Sequence, residues 1–285
     1  MIPPCPAPMD ADATMAKYPL LRKLLVSSEL EEVIDATPKP VGSLDYDPWG
    51  FNYDTVKLGL AAFKPFYEKY FRVETHGLKN IPTSGRCLII CNHSGQLPVD
   101  AMMIGYAVAT NPMGPRAPRA MMERFLPTIP YIGNLLNNVG AVVGEPANCA
   151  KMLDSEEVIL VFPEGVRGTG KAWNKRYQLQ RFGHGFMHLA IEHDTPIVPV
   201  GIVGCEESMP AIGHLRKTAR KIGLPYIPIG LPFPLPTKII INIGEPMRFG
   251  TADSEDEIRD NVEAVKSRIE ALIAKGLSER KGVFA

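Results

Sequence analysis

After residue 72 the chain alternates short, uninterrupted apolar runs with stretches whose apolar residues recur at helical steps. The runs 86–91, 117–122, 139–143, 157–162, 197–203 and 238–243 predict strands. The stretches 100–110, 123–126, 147–154, 184–193 and 254–275 predict helices. Strands that are apolar throughout, with helices between them, imply a sheet covered on both faces. The expected fold is α/β: a mixed, largely parallel sheet flanked by helices, with an N-terminal helical pair. The last helix opens on a capping box, Ser254-x-x-Glu257, and carries the stripe Ile258, Val262, Val265, Ile269 and Leu272. No internal repeat is visible.

The first 72 residues read differently. Residues 1–14 are rich in Pro, Ala and Asp and predict a loose arm. Residues 18–35 predict a helix with Leu20, Leu21, Leu24 and Leu25 on it, and the prolines and glycine of 36–50 predict a linker. Residues 53–71 predict a second helix, with Val56, Leu60, Phe63, Tyr67 and Tyr70 at steps of four and three, widened by Phe66 and Phe71. This stripe suits either a helix packed on the core or one lying on a membrane, aromatic side down. The expected division is 1–72, an arm and membrane-associating helical pair, and 73–285, the α/β domain. Residues 210–236 stand apart. A basic stretch with Arg216, Lys217, Arg220 and Lys221 precedes Ile222–Pro236, which holds five prolines and no charge. It suits an irregular packed loop, or a lid or membrane-facing surface whose cations meet anionic head groups.

Composition narrows the function. The chain has 285 residues, 45% hydrophobic and 22% charged, which is ordinary for a globular protein. Its 31 Lys and Arg balance 31 Asp and Glu, which argues against nucleic-acid binding by bulk charge. Cys5, Cys87, Cys91, Cys149 and Cys205 include no C-x-x-C pair and no zinc spacing, so no metal site is expected. Cys87 and Cys91 read as small core residues of one strand face, and scattered cysteines suit a reducing compartment. The sequence shows no signal-peptide pattern and no apolar run of ~18 residues, so membrane contact is expected to be peripheral.

Three segments hold residues suited to chemistry. The first is Asn92-His-Ser-Gly-Gln-Leu-Pro-Val-Asp100, between a predicted strand and a predicted helix, where open α/β sheets build their sites. His93 suits proton removal near neutral pH, and Asp100 either holds its other ring nitrogen or caps the helix from Ala101. No Ser or Cys is a convincing nucleophile, and the G-x-S-x-G elbow is absent. The second is Val161-Phe-Pro-Glu-Gly-Val-Arg-Gly-Thr-Gly-Lys171, which is not a P-loop. Its Arg167 suits phosphate oxygens, and its Glu164 suits a hydroxyl or the Arg; a surface turn with an ion pair is the plainer reading. The third is the run Thr195–Gly204, where Pro199 either sits in a core strand or shapes a substrate groove.

In order and spacing these segments resemble the glycerolipid acyltransferase superfamily, which includes lysophosphatidic acid acyltransferases. The matching residues are Asn92, His93 and Asp100, then Phe162, Pro163, Glu164, Gly165 and Arg167, then Ile197–Val200, with Glu164 71 positions after His93. The resemblance implies that His93 deprotonates a glycerolipid hydroxyl, which attacks the thioester of acyl-CoA or acyl-carrier protein without a covalent enzyme intermediate. It implies that Asp100 orients His93 and that Glu164, Gly165 and Arg167 hold the acceptor. Asn92, Ser94, Phe162, Pro163, Lys171 and Pro199 would line the same substrate site. The implied first acceptor is 1-acylglycerol-3-phosphate, with a neutral monoacylglycerol-like alcohol next. No metal or further cofactor and no nucleic acid is implied, and the expected place is the cytoplasmic face of a membrane. Three departures bear on the acceptor. Six residues separate His93 from Asp100 where four are common, Gly144 stands where an Arg often ends the intervening segment, and Val166 replaces Thr or Ser. Arg116, Arg119 and Lys171 are candidates to replace that Arg. A thioester hydrolase and a non-catalytic lipid-binding protein are the rival readings.

Overall fold

The computed structural model describes residues 25–36, 47–129 and 132–285, apart from 222, 224 and 232. The arm at 1–14, the start of the first predicted helix and most of the linker lie outside the described residues. In chain order the elements are α1 (Ser28–Asp35), α2 (Tyr53–Pro65), β1 (Glu74–His76), β2 (Cys87–Cys91), α3 (Val99–Ala109) and β3 (Pro118–Met122). There follow α4 (Ile132–Asn138), β4 (Val142–Val143), α5 (Pro146–Asp154), β5 (Val158–Val161), α6 (Val166–Thr169), α7 (Gly185–Glu192) and β6 (Ile197–Val203). The chain ends with α8 (Cys205–Ser208), β7 (Ala211–His214), α9 (Arg216–Lys221), β8 (Pro228–Gly230), β9 (Ile240–Ile243) and α10 (Glu255–Glu279).

Seven strands form one sheet in the order β1-β9-β6-β2-β5-β3-β4. The five from β6 to β4 run parallel, β9 is antiparallel to β6, and β1 is parallel to β9. The sheet is therefore mixed and largely parallel, as the apolar runs predict. β2 shows why. Cys87, Ile89 and Cys91 join α3 in one core, while Leu88 and Ile90 join α5, α7 and α10 in the other. A strand buried on both sides needs apolar residues at every position. On α10, Ser254 accepts from the Glu257 N–H, and the Glu257 carboxylate accepts from the Asp253 N–H, one residue earlier than in the standard box.

The N-terminal pair packs on itself through Val26, Leu30 and Ile34 against Tyr53, Leu60 and Ala61. Phe63, Tyr67 and Tyr70 face the main core, so the aromatic stripe of α2 is a packing face, and Phe66 is its exposed member. Pro65 has no N–H to donate, and α2 relaxes there into a wider π turn over Phe66–Tyr70.

Some elements differ from expectation. The helix expected at 123–126 is one 3-10 turn, Leu126–Thr128. β1 has a polar sequence, Glu-Thr-His, and takes its place by pairing with β9. The Pro-rich segment contributes β8, which forms a separate two-stranded sheet with β7, a setting that tolerates proline. No helix among the described residues is long and apolar enough to cross a membrane.

Candidate active site

β2 and β5 are parallel neighbours, and Ile90 pairs with Val161. The chain therefore leaves both strands at one level, and the segments Asn92–Asp100 and Phe162–Lys171 meet above the C-terminal sheet edge. Asn92 is buried and clamps this loop to the next strand. Its amide donates to the Ile202 carbonyl at 3.1 Å and accepts from the Ile202 N–H at 2.8 Å.

Six residues bring the chain from His93 back to Asp100. Gly95 takes φ +85°, a conformation other side chains resist, and a Cβ there would lie 3.0 Å from the Cys205 carbonyl oxygen. Asp100 is the second residue of α3 rather than its cap. Its Oδ2 accepts from the Ser94 N–H at 2.7 Å and lies 2.6 Å from His93 Nδ1, and Oδ1 accepts from the Ala101 N–H. The helix N-terminus favours that negative charge. A carboxylate at Nδ1 selects the tautomer with the proton there and leaves Nε2 as the basic nitrogen. The His93 side chain is 14% exposed.

The second segment fixes the other side of His93. The Phe162 ring stacks on the imidazole with centroids 4.2 Å apart. Glu164 Oε1 accepts from the His93 N–H at 2.9 Å, and Oε2 accepts from the Gln180 N–H at 2.7 Å. Gly168 is where the loops touch. A Cβ there would lie 2.7 Å from the His93 Cβ and 2.9 Å from the Glu164 Cβ. Lys171 is buried, 2.6 Å from Glu206 and 3.6 Å from Glu164. Burial pushes the Glu206 carboxyl up, and the Lys171 ammonium opposes that shift. Cys91 and Cys205 lie close to Asp100, and burial first, then that carboxylate, push their thiols well above the ordinary range. Neither is a thiolate nucleophile.

The sequence-predicted residues thus divide. His93, Asp100, Phe162, Glu164 and Gly165 come together with Arg167, which is exposed and donates to the Arg181 carbonyl. Asn92, Glu164 and Lys171, expected to touch substrate, are buried with their side chains on internal partners, and Ser94 is buried with its backbone N–H on Asp100. Pro163 follows the stacked ring and is only partly buried. Pro199 takes the core-strand position of its two readings. It is buried in β6, paired with Ile90 in register, while the site lies beyond the far end of that strand at Val203. Its missing N–H does not end the pairing, since its carbonyl accepts from the Gly244 N–H at 2.8 Å and Ile197 pairs with Met247 beyond it. The candidate phosphate-binding cations Arg116 and Arg119 also fall elsewhere. Arg116 donates to the Pro82 and Glu156 carbonyls, and Arg119 pairs with Asp47 and Glu157. Reading residues in order misses Gly168, Gln180 and Glu206. A glycine three residues past the Phe-Pro-Glu-Gly run is the one available signal. Among the described residues no group of three or more His, Cys, Asp or Glu side chains is placed to hold a metal ion.

The fold and site define an α/β protein with a His–Asp pair buttressed by a Phe-Pro-Glu-Gly turn. Comparison with known proteins takes this further. A sequence model of the Acyltransferase family matches residues 72–203. "Uncharacterized protein Rv0502" of Mycobacterium tuberculosis is 34% identical over 259 residues, covering 84% of this chain and 72% of that protein. The human "DGAT1/2-independent enzyme synthesizing storage lipids" is 28% identical over 207 residues, covering 71% of this chain and 61% of that protein. Among solved structures, the 1-acyl-sn-glycerophosphate acyltransferase PlsC of Thermotoga maritima shares the fold, with a TM-score of 0.55 at 18% identity over 95% of this chain and 93% of that one. Residues 72–203 thus form an Acyltransferase-family domain, in a fold shared with that glycerophosphate acyltransferase.

Proposed function

We propose that the protein transfers an acyl group from acyl-CoA or acyl-carrier protein directly to a hydroxyl of a neutral glycerolipid alcohol at a membrane surface. The observation that carries the mechanism is the His93–Asp100 pair, 2.6 Å apart with the imidazole stacked on Phe162. Nε2 takes the proton as the acceptor oxygen attacks the thioester carbonyl. The new C–O bond forms, the C–S bond breaks, and the imidazolium returns its proton to the departing thiolate. Asp100 stabilises the imidazolium and needs no proton of its own. Backbone N–H groups of the two loops are the candidate oxyanion donors. No metal or further cofactor enters this scheme.

A neutral acceptor is favoured by where the cations are. A phosphate would need several of them, and Arg116, Arg119 and Lys171 are each matched by an internal partner. The human relative's name, an enzyme synthesizing storage lipids, points the same way. The second reading is the one the sequence puts first, 1-acylglycerol-3-phosphate. It rests on Arg167, exposed on the turn after Gly165. Residues 1–72 and the surface described below are proposed to hold the enzyme peripherally on the cytoplasmic face.

An acceptor panel tests the choice. Thiol release from a long-chain acyl-CoA is expected to be fastest with monoacylglycerol or diacylglycerol, and Arg167→Ala to leave that rate within about threefold. Fastest release with lysophosphatidic acid, abolished by Arg167→Ala, would select the second reading. Equal release with no acceptor would make the protein a hydrolase.

A further inference from the structure

The segment Ala211–Pro236 crosses above both site loops. His214 Nε2 lies 3.4 Å from Gln96 Oε1 in the first loop, and the His214 ring meets Tyr226 edge-on at 4.8 Å. The Tyr226 hydroxyl donates to Thr169 Oγ1 at 2.5 Å in the second loop. The inner face is therefore polar and partnered. The outer face is apolar. Leu215, Ile229 and Leu231 are exposed, and Phe233 is 78% exposed, the most of any large hydrophobic residue described. Single exposed apolar residues are common, but four on one short segment are not expected of a surface that stays in water.

Three further features point to a lipid leaflet as what covers this face. No Asp or Glu occurs between Glu207 and Glu245, whereas Arg216, Lys217, Arg220 and Lys221 follow closely in the sequence, with Lys217 and Lys221 exposed. Cations beside apolar side chains, with no acid in the same stretch, match an anionic membrane surface. The five prolines of the segment bring no N–H groups, so little backbone has to lose water on entering the head-group layer. Finally, Tyr70 donates to the Pro234 carbonyl at 2.7 Å and contacts Phe66, the exposed aromatic of the N-terminal pair. The apolar surface thus continues from the segment onto the π turn.

We propose that the outer face of 211–236, with Leu231 and Phe233 as its anchors and Lys217 and Lys221 as its head-group contacts, docks the enzyme on an anionic bilayer. Docked this way, the two loops around His93 face the leaflet that holds a lipid acceptor. That purpose rests on the function proposed above, whereas the docking itself is measured without turnover.

The test is cosedimentation of the full chain with vesicles of phosphatidylcholine alone and of phosphatidylcholine with phosphatidylglycerol. Wild type is expected to pellet with the anionic vesicles and much less with the neutral ones. The double variant Leu231→Asp/Phe233→Asp is expected to lower partitioning at least tenfold, since burying each side chain is worth about 1.5–3 kcal/mol. Lys217→Glu/Lys221→Glu is expected to remove the preference for anionic vesicles. Circular dichroism confirms that each variant is folded. A parallel measurement uses Phe233→Trp, whose added emission, read as the difference from wild type, is expected to shift to the blue on anionic vesicles. Wild type that fails to pellet, a folded double-Asp variant that pellets like wild type, or an unshifted emission from the Phe233→Trp variant overturns the proposal. Docking that persists with no acyl transfer in any assay would overturn the function above and leave this surface standing.

Discussion

At the N-terminal end of β2, β5 and β6 lies a wide cleft whose charged residues are paired; at the C-terminal end lie the His93–Asp100 pair and, beside it, a far smaller cavity. The N-terminal cleft is ≈400 Å³ and is bordered by Arg86, Glu156, His193 and Arg248. Every one of its charges has a neighbour of opposite sign: Arg86 with Glu156, Arg248 with Asp194, His193 with Asp154. At the other end, the space among Gly95, Gln96, Thr169, Lys171 and Glu206 is ≈10 Å³, enough for about one water. Yet that end holds the His–Asp pair. A wide cleft locates nothing by itself. What separates the ends is that the cleft's charges have partners of opposite sign, whereas the C-terminal end sets a buried carboxylate against a partly exposed imidazole.

The largest effect expected from breaking this comparison is on stability, at the N-terminal end. Arg119 is 1% exposed and faces Asp47 and Glu157. Arg119→Ala strands Asp47 in the interior and is expected to cost about 3–5 kcal/mol in denaturant unfolding. The activity of the molecules that remain folded is expected to be unchanged, since Arg119 has no partner in His93's loops; a selective loss of turnover would merge the two ends into one functional unit. Gly168→Ala is the matching test at the His93 end. The added methyl meets the His93 and Glu164 Cβ atoms. A cost of about 1–3 kcal/mol is expected, together with a loss of kcat of about tenfold or more as the imidazole is displaced. Unchanged kcat would mean that the loops need not be in register. Arg86→Ala should do least. Its pair with Glu156 is partly open to water, so about 0–1 kcal/mol and no change in activity are expected, measured by the same unfolding and turnover assays.

How much of this is legible in the sequence depends on how far away each residue's partner lies. Strands β2, β5, β6 and β9 announce themselves because burial on both faces demands an unbroken apolar run. β1 does not, because its place comes from pairing with β9 and its own residues are Glu, Thr and His. The relation of His93 to Asp100 is visible, and Gly95 supplies the turn that the longer spacing needs. Phe162 stands out by its motif, but its stack on the imidazole depends on the β2–β5 register, which no local pattern encodes. The clamp of Asn92 on Ile202, across 110 residues, and the Lys171–Glu206 pair are illegible for the same reason. The aromatic stripe of α2 shows the reverse limit. Its period is plain in the sequence, but period alone does not say whether the face meets a core or a membrane, and here it meets the core.

The most direct test of the central claim is thiol release from acyl-CoA, with and without a glycerolipid alcohol, by wild type and by His93→Ala. Release is expected to depend on the acceptor and to fall by about 10²–10⁴-fold in the variant, which keeps the backbone N–H that donates to Glu164. Acceptor-dependent release that survives in a folded His93→Ala protein would contradict it.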